Sequence, residues 1–321
     1  MPRAVVIGGS GHVGTYLVPR LVAAGYEVVN LTRGQRAPYR PHAAWAKVRT
    51  VTVDREAEDA AGTFGARVAA LEPDVVIDKI CFTPQSARQI VEALKGKVRH
   101  FLHTGTIWVH GHSLWTPSSE SDPRAPFGAY GTQKSEIEDY LIDQALREGF
   151  PATVVRPGHI VGPGWPPLNP AGNFNTDVFA TIARGERLTL PNFGLETVHH
   201  VHADDVAEVF MLALARPAAS IGEAFNAVSP GALTLRGYAE GMYAWFGHEP
   251  DLDFRPFEAW KEGQADRDAA QTLEHISRSP SHSIAKAASM LGYAPRYTSL
   301  DAAQESVAWL VGEGTVPAGR A

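Results

Sequence analysis

A tyrosine and a lysine four positions apart are the residues of this sequence best suited to acid–base chemistry. Tyr130 and Lys134 open a helical pattern, and residues i and i+4 of a helix share one face. An ammonium beside a phenol lowers the pKa of the phenol because it stabilises the phenolate. Such a tyrosine can exchange a proton with a substrate hydroxyl near neutral pH. Thr106 ends a predicted strand upstream, and strand ends in open α/β sheets face the ligand crevice.

A glycine-rich turn near the start of the sequence has the pattern of a phosphate-binding loop. Gly8, Gly11 and Gly14 follow a short apolar run and lead into a helical pattern. In a dinucleotide-binding turn the first glycine permits the tight turn, the second admits the pyrophosphate and the third lets helix and strand pack closely. The start of the helix, with His12 and Val13, offers free N–H groups and a positive dipole end to phosphates. The sequence therefore predicts a dinucleotide site here.

The second predicted strand indicates which dinucleotide is bound. Folds that prefer NAD usually end this strand in Asp or Glu, which binds the ribose 2′-hydroxyl. No carboxylate stands in residues 28–34, whereas Arg33 and Arg36 stand at and just beyond the strand's end. A guanidinium matches a 2′-phosphate, so NADP(H) is favoured and NAD(H) is the alternative. Asp54, after the third predicted strand, is expected either to face the adenine or to cap a helix.

Alternating strand-like and helix-like stretches separate these candidate residues. The predicted strands are continuous apolar runs, as expected when helices cover both faces of a parallel sheet. They are Ala4–Ile7, Glu27–Leu31, Val48–Val53, Val75–Asp78, Val98–His103 and Ala152–Arg156. The helix-like stretches between them are Val13–Ala24, Ala57–Leu71, Pro84–Leu94 and Tyr130–Glu148. This alternation predicts an α/β fold with a Rossmann-type doubly wound parallel sheet.

The pattern changes after Arg156, where prolines and glycines crowd residues 157–170. Long irregular loops of this kind often carry function. Helical patterns return at Asn175–Arg184, Ala203–Ala215, Leu235–Phe246, Ile284–Leu291 and Leu300–Val311. We therefore expect an NAD(P)-binding Rossmann domain over residues 1–165, onto which residues 195–230 pack back. Residues 166–321 are expected to form a smaller, mainly substrate-binding portion.

The composition limits the classes of protein to which this sequence can belong. The 321 residues are 44% hydrophobic and 20% charged, which excludes disorder or a coiled coil as a description of the whole. A net charge of -6 disfavours a nucleic acid as the partner. Cys81 is the single cysteine, so neither an intrachain disulfide nor a cysteine-based metal site is expected, and no metal is predicted. Without an apolar run of membrane-spanning length or a signal-peptide pattern, the expected location is cytoplasmic, with no membrane partner.

Taken in order, these motifs resemble those of the extended short-chain dehydrogenases/reductases, in the NAD-dependent epimerase/dehydratase family. The resemblance rests on the glycine turn, on Thr106 and on the pair Tyr130 and Lys134. It continues through residues 156–164, 201–207 and 291–295. It implies hydride transfer at a secondary alcohol or ketone of a sugar-like small molecule. It also implies a homodimer that pairs through the helix holding the Tyr/Lys motif.

The resemblance implies a role for each matching residue. Tyr130 would be the catalytic acid/base, Lys134 would lower its pKa and hold the nicotinamide ribose, and Thr106 would bond the reacting oxygen. It also places four further residues against the cofactor: Asp78, Ile80, Pro157 and His159. Asp78 is unusual at its position and is expected either to bond the cofactor or to cap a loop.

Two departures from the family's patterns narrow the range of possible substrates. Ile107 and Trp108 stand where dehydratases carry Asp-Glu and decarboxylases carry Glu, so both reactions lose support. Many nucleotide-sugar enzymes carry an arginine before the His-x-x-Asp segment to grip a diphosphate, and no arginine stands in residues 197–200. The residues that could replace it are His199, His200 and Arg278. A free sugar, a polyol or another small carbonyl compound becomes competitive as substrate.

Further side chains are candidates to line the substrate pocket. Trp108, His110 and Trp115 cluster after the active strand, and aromatic faces and imidazoles suit a sugar or a cyclic ketone. Structural packing explains a tryptophan there equally well. Cys81 and His199 are weaker candidates, and Cys81 is better explained as a packed small residue than as a nucleophile.

Three functional hypotheses stay open on the sequence alone. The leading one is an NAD(P)-dependent oxidoreductase or epimerase that acts on a sugar-like molecule. The second is a nucleotide-sugar 4-epimerase that holds NAD tightly. The third belongs to another class, a non-catalytic NADP(H)-sensing or RNA-associated member of the fold. The presence of Thr106, Tyr130 and Lys134 and the negative net charge both argue against the third hypothesis.

Overall fold

The structure, a computed structural model, describes residues 1–319, in which strands and helices alternate. In chain order the strands are β1 (Arg3–Ile7), β2 (Glu27–Thr32), β3 (Arg49–Thr52), β4 (Val75–Asp78), β5 (His100–Thr104), β6 (Ala152–Pro157), β7 (His159–Val161), β8 (Leu188–Pro191), β9 (Thr197–Val198), β10 (His200–His202), β11 (Ala224–Ala227), β12 (Leu233–Thr234) and β13 (Leu252–Arg255). The helices are α1 (His12–Ala23), α2 (Arg55–Ala60), α3 (Phe64–Ala69), α4 (Pro84–Leu94), α5 (Gly128–Glu148), α6 (Asp177–Ala183), α7 (Ala203–Ala215), α8 (Pro217–Ser220), α9 (Leu235–Trp245), α10 (Phe257–Lys261), α11 (Asp266–Arg278), α12 (Ala285–Leu291) and α13 (Ser299–Gly312). Short 3₁₀ helices cover Ala43–Lys47 and Ile107–His110.

A seven-stranded parallel sheet organises the molecule. Its strand order is β11-β6-β5-β4-β1-β2-β3, and every neighbouring pair runs parallel. The chain winds outward from β1 through β2 and β3, then crosses back to β4 and continues through β5 and β6. The crevice at this reversal, between β1 and β4, is where doubly wound sheets bind their ligands. The predicted fold class, an α/β Rossmann-type doubly wound sheet, is confirmed.

Helices cover both faces of the sheet, so each strand is buried on two sides. Val6 packs into one core with Leu17 of α1 and Phe210 of α7. Val5, its neighbour in β1, points the other way and packs with Ile90 of α4. Burial on both faces explains why the strands read as continuous apolar runs rather than alternating ones.

The second half of the chain builds a third core of its own. Phe179, Tyr238 and Val307 are fully buried there, on α6, α9 and α13. The same half also returns to the sheet, because α7 packs on α1 and β11 pairs with β6 as the edge strand. Strand β7 pairs with β10 and brings His159 opposite His200 near the carboxyl edge of the sheet.

The short helices α8 and α10 were not predicted, and two longer helical regions also differ from the sequence-based expectation. The single helix predicted over Ala57–Leu71 is two helices, α2 and α3, because Gly62, a poor helix former, follows the end of α2. Helix α11 was not predicted, since its buried face consists of Thr272, His275, Ile276 and Arg278 and carries little apolar signal. Within residues 1–319, no helix combines the length and the apolar character that crossing a membrane requires.

Candidate active site

Tyr130 and Lys134 lie on successive turns at the start of α5, beside the carboxyl ends of β4 and β5. The Lys134 side chain is buried, and its Nζ donates hydrogen bonds to the carbonyl oxygens of Cys81 at 2.8 Å and Thr104 at 2.7 Å. Burial lowers the pKa of Lys134 to about 8. Its Nζ lies 5.9 Å from the centre of the Tyr130 ring. Helix α5 therefore brings an ammonium and a phenol together at the sheet edge.

Thr106 stands at the same edge, just after β5. Its hydroxyl caps the short 3₁₀ helix by accepting a hydrogen bond from the Trp108 N–H at 3.2 Å. Burial raises the pKa of Tyr130, and a hydrogen bond with the Thr106 side chain has the smaller, opposite effect of lowering that pKa. The Trp108 ring meets the Tyr130 ring edge-on, with 5.7 Å between centres. The structure thus brings the three predicted catalytic residues together.

The turn between β1 and α1 is built from close backbone approaches. Gly8 has a φ of +82°, in the left-handed region that favours glycine. A Cβ on Gly14 would lie 1.9 Å from the carbonyl oxygen of Gly9, so no other residue fits there. Gly11 is the N-cap of α1 and offers no side chain to the free N–H groups of the first turn, while Val13 is buried behind them. Free N–H groups at the start of a helix are suited to bind an anion.

Asn30, in the middle of β2, holds this turn in place. Its Oδ1 accepts a hydrogen bond from the Gly9 N–H at 2.9 Å, and its Nδ2 donates to the Ser10 Oγ at 3.0 Å. The side chain is 1% exposed. This role of Asn30 was not predicted, although an amide within an apolar strand indicates a buried polar contact.

A cleft of about 750 Å³ opens beside the glycine turn. Residues predicted to contact the cofactor that line it are Gly8, Gly11, His12, Arg33, Asp54 and Ile80. The cleft reaches from Arg33 and Arg36 at one end to Phe82 at the other, and the Phe82 ring lies 6.4 Å from the Tyr130 ring. The cleft thus combines the glycine turn, the free N–H groups of α1 and two arginines. These groups and the volume of the cleft fit a phosphate-bearing dinucleotide.

Asp54 has the capping role, one of the two that the sequence left open for it, and its contact with the adenine stays a prediction. Its Oδ1 accepts a hydrogen bond from the Ala57 N–H at 3.2 Å and so caps α2. The same residue lines the cleft. Arg33 and Arg36 also line the cleft, and both side chains are exposed. Their guanidinium groups are therefore accessible to a 2′-phosphate.

Asp78 is the last residue of β4 and Ile80 lies just after it, and the two side chains point in different directions. Asp78 is fully buried, and its Oδ1 lies 2.5 Å from Nη1 of Arg55 and accepts a hydrogen bond from the Ile80 N–H at 3.2 Å. The carboxylate is therefore engaged in capping this loop, the second of its two expected roles. The Ile80 side chain lies in the cleft, against the position that a Cβ on Gly8 would take.

Pro157 and His159 lie at the end of β6 and in β7, where histidines gather. Neither ring nitrogen of His159 has a hydrogen-bond partner among the described residues. Its ring centre is 5.0 Å from that of His275, 6.0 Å from His200 and 6.3 Å from Trp108. Burial, with a contribution from the neighbouring imidazoles, lowers the pKa of His159 well below its ordinary value. In the part of the chain that the structure describes, no group of three metal-ligating side chains is arranged to hold a metal ion.

Four residues predicted to line a substrate pocket make other contacts. Cys81 is buried in the core, and burial raises the pKa of its thiol to about 11. His110 receives a hydrogen bond from Arg156 at 3.0 Å, and both ring nitrogens of His199 bond backbone groups. The Trp115 ring is 56% exposed on the loop before α5. Of the predicted substrate residues, Trp108 is the one that stands directly against Tyr130.

An aromatic stack beside the glycine turn was also missed. The His12 ring stacks on Trp165 with 3.5 Å between centres and an angle of 8°, and Tyr39 lies 4.8 Å from His12. Trp165 belongs to the proline- and glycine-rich loop and Tyr39 to the loop after β2. Spacing in the sequence gave no signal for this contact, because the three rings come from three distant segments.

Comparisons with known proteins show the family to which this chain belongs. The sequence profile of the NAD dependent epimerase/dehydratase family matches residues 4–227. The chain is 31% identical to 2'-dehydrokanamycin reductase of Streptomyces kanamyceticus over 63% of this chain and 55% of that one. It is 27% identical to dTDP-6-deoxy-L-talose 4-dehydrogenase (NAD(P)(+)) of Kitasatospora kifunensis over 59% of this chain and 62% of that one. The match therefore spans little more than half the length of these two relatives.

A solved structure shows the same fold. UDP-glucose 4-epimerase of Thermotoga maritima superposes with a TM-score of 0.72 over 97% of this chain and 99% of that one, at 19% identity. At that identity the likeness establishes the fold of this chain and leaves its substrate open.

Proposed function

The chain belongs to the NAD-dependent epimerase/dehydratase family, and from this premise we propose that it is an NADP(H)-dependent oxidoreductase of the extended short-chain dehydrogenase type. We propose a secondary alcohol or ketone of a sugar-like small molecule as its substrate. The observation that carries the proposal is the convergence of Tyr130, Lys134 and Thr106 beside the cleft of the glycine turn, where the ring of the lining residue Phe82 lies 6.4 Å from the Tyr130 ring. The homodimer and the cytoplasmic location stay predictions.

In this proposal Tyr130 is the proton donor and acceptor. In the reduction direction its hydroxyl gives a proton to the oxygen of the substrate carbonyl, and in the oxidation direction the phenolate takes that proton back. Thr106 and the Lys134 ammonium favour the phenolate, one by a hydrogen bond and the other by its charge. A bound nicotinamide would supply the hydride chemistry. Lys134, Gly8, Gly11 and His12 would hold the dinucleotide, with Arg33 at its adenosine end.

A substrate without a diphosphate is supported by the contacts of the three residues proposed to replace the missing arginine clamp. Arg278 is stacked between Trp108 and Phe127, 3.8 and 3.9 Å from their ring centres, and donates to two backbone carbonyls. His199 and His200 are fully buried, and burial lowers the pKa of each to about 4. Their neutral imidazoles carry no charge for a diphosphate, whereas an imidazole and an indole suit neutral hydroxyl-bearing rings.

Turnover by the wild type and by Tyr130→Phe tests the proposed function. With NADPH or NADP⁺ and a panel of sugar-like ketones and alcohols, we expect the wild type to oxidise or reduce at least one member. We expect Tyr130→Phe to lose about 100-fold or more in kcat, since it removes the transferred proton. Its affinity for the dinucleotide should stay unchanged because the ring itself is kept.

Tyr140→Phe is the matched control, a tyrosine on the same helix whose ring packs against Arg88 instead of the site. It should retain full turnover. Full activity in Tyr130→Phe would contradict the assigned role of Tyr130. Failure of the wild type to bind either NADPH or NADH would contradict the enzyme proposal itself.

A further inference from the structure

Lys79 is a cationic residue that no step of the proposed chemistry uses. It follows β4, and its Nζ donates a hydrogen bond to the Gly8 carbonyl oxygen at 3.2 Å. The same Nζ lies 2.5 Å from the position that a Cβ on Gly14 would occupy. Its ammonium therefore sits against both the first and the third glycine of the phosphate-binding turn. Ile80, the next residue, lines the cleft beside that turn.

The surroundings of Lys79 are positive. Burial lowers its pKa to about 7, and no carboxylate of the described residues contributes to that pKa. Burial, followed by the charges of Lys79 and Arg36, lowers the pKa of His12 to about 3. The N-terminus of α1 adds a positive partial charge at the same place. Asp78, the neighbouring acid, is paired with Arg55.

Burying a cation beside a helix N-terminus, without an anion, costs free energy. An anion in the cleft would remove that cost, and it would be held by the cation, the helix dipole and the free N–H groups together. The dinucleotide of the proposed function carries a diphosphate that belongs at this turn. The glycine turn alone explains binding of the diphosphate, but it does not explain why a lysine stands beneath it.

We propose that Lys79 is a binding residue for the diphosphate of the dinucleotide, and that it supplies from beneath the glycine turn a full positive charge that the backbone cannot. This inference rests on the proposed function for the identity of the ligand. It is distinct from the roles of Arg33 and Lys134, which would hold the two riboses. It predicts that every ligand with the diphosphate depends on Lys79 and that a ligand without it does not.

Equilibrium binding to Lys79→Met separates these classes of ligand. We expect this variant to bind NADPH, NADH and ADP-ribose about tenfold or more weakly than the wild type, because a positive charge near the diphosphate is lost. Adenosine 2′-monophosphate, which lacks the diphosphate, should bind both proteins equally. Lys79→Arg keeps the charge and should bind all four ligands within about threefold of the wild type. Lys97→Met removes an exposed lysine at the opposite edge of the sheet and should change nothing.

The pH dependence of binding separates a binding role of Lys79 from a purely structural one. With a purely structural role, the ratio of wild-type to Lys79→Met affinity would not change with pH. Because Lys79 in the free protein has a pKa of about 7 and an adjacent diphosphate would raise it, the bound state holds the proton to higher pH. The ratio of wild-type to Lys79→Met affinity for ADP-ribose should therefore fall as the pH rises from about 6.5 to 9. His12 is neutral across this range and Arg36 is present in both proteins, so neither alters the ratio. Lys134 is present in both proteins and cancels.

A calorimetric measurement on the wild type keeps the test decisive if Lys79→Met does not fold. Binding of ADP-ribose near pH 7.5, compared in buffers of different ionisation enthalpy, should take up about half a proton or more both in the wild type and in Lys134→Met, which lacks the other lysine with a pKa near this pH. No proton uptake, an unchanged affinity in a folded Lys79→Met, or an equal loss for adenosine 2′-monophosphate would each overturn the role of Lys79. If the wild type binds none of the dinucleotides, the proposed function fails and Lys79 is not the cause.

Discussion

Lys134 illustrates how a charge can be kept next to a phenol without an acidic partner. Its ammonium is buried and donates to two carbonyl oxygens, at 2.7 and 2.8 Å, which fix its position under the Tyr130 ring. Carbonyl dipoles stabilise the cation less than a carboxylate would, so burial still lowers its pKa, to about 8. The ammonium is thus held near Tyr130 by backbone carbonyl groups, with no carboxylate bonded directly to it among the described residues.

Arg33 carries the prediction about the choice of dinucleotide. It is exposed, lines the cleft, and stands where NAD-binding folds usually place a carboxylate. We expect Arg33→Ala to weaken NADPH binding about tenfold or more, because a guanidinium contact to the 2′-phosphate is lost. NADH binding should stay almost unchanged. Fluorescence titration of the two reduced cofactors measures both constants.

The matched variant for this experiment is Arg40→Ala. Arg40 is also exposed and lies in the same loop, but its guanidinium packs over the Tyr16 ring at 5.7 Å instead of lining the cleft. It should leave both affinities unchanged. An equal loss of NADPH and NADH affinity in Arg33→Ala would remove the basis for the NADP(H) preference.

At the scale of elements, the glycine turn is held by a strand that does not adjoin it in sequence. Asn30 in β2 reaches across to the Gly9 N–H and to Ser10, so β2 and the turn form one rigid unit. This arrangement gives the phosphate-binding N–H groups fixed directions before a ligand arrives. Preorganisation of this kind lowers the cost of binding because fewer groups must be ordered.

Replacing Asn30 should therefore loosen the turn. In Asn30→Leu the Gly9 N–H loses its acceptor, and we expect a loss of about 1–3 kcal/mol in unfolding free energy. NADPH affinity should fall about tenfold because the N–H groups lose their fixed directions. Urea unfolding and cofactor titration measure the two effects. Ser10→Ala removes only the bond from the Asn30 Nδ2 and should have the smaller effect; equal affinity in wild type and Asn30→Leu would show that the turn needs no anchor.

At the scale of the whole molecule, five histidines form a buried neutral set. Burial lowers the pKa to about 4 for each of His100, His110, His199, His200 and His275. In the unfolded chain their pKa returns to about 6.5. The unfolded state therefore binds more protons than the folded state between these values, so stability present above about pH 6.5 is lost as the pH falls towards 4.

The expected loss is large enough to measure. Each of these histidines should cost about 1 kcal/mol of stability between pH 7 and 5.5, so that together they remove several kcal/mol. Urea unfolding at a series of pH values gives the number of protons taken up. His200→Gln should reduce that number by about one. His42→Gln, at an exposed histidine, should not change it, and a stability independent of pH in this range would contradict the buried neutral state.

Much of the fold and of the candidate site follows from short-range pattern. Strand β4 and helices α4 and α7 have the predicted bounds, since a continuous apolar run or a clear helical period specifies them. The glycine turn is predictable for the same reason, because three glycines spaced in this way between a strand and a helix are typical of a dinucleotide-binding turn. The break between α2 and α3 and the polar helix α11 were not predicted, because tertiary contacts rather than period decide them.

The amino-acid sequence by itself determined the order of the elements, the phosphate-binding turn and the residues brought together at Thr106, Tyr130 and Lys134. Local spacing suffices for these, because helix period and sheet topology carry such residues to one edge. Only the tertiary structure decided which polar side chains can reach a ligand and which are engaged in contacts within the protein. It engages Asp78 with Arg55, buries His199, and places Lys79 beneath the glycine turn. These outcomes depend on partners tens of residues away in the chain, and no local pattern encodes such contacts.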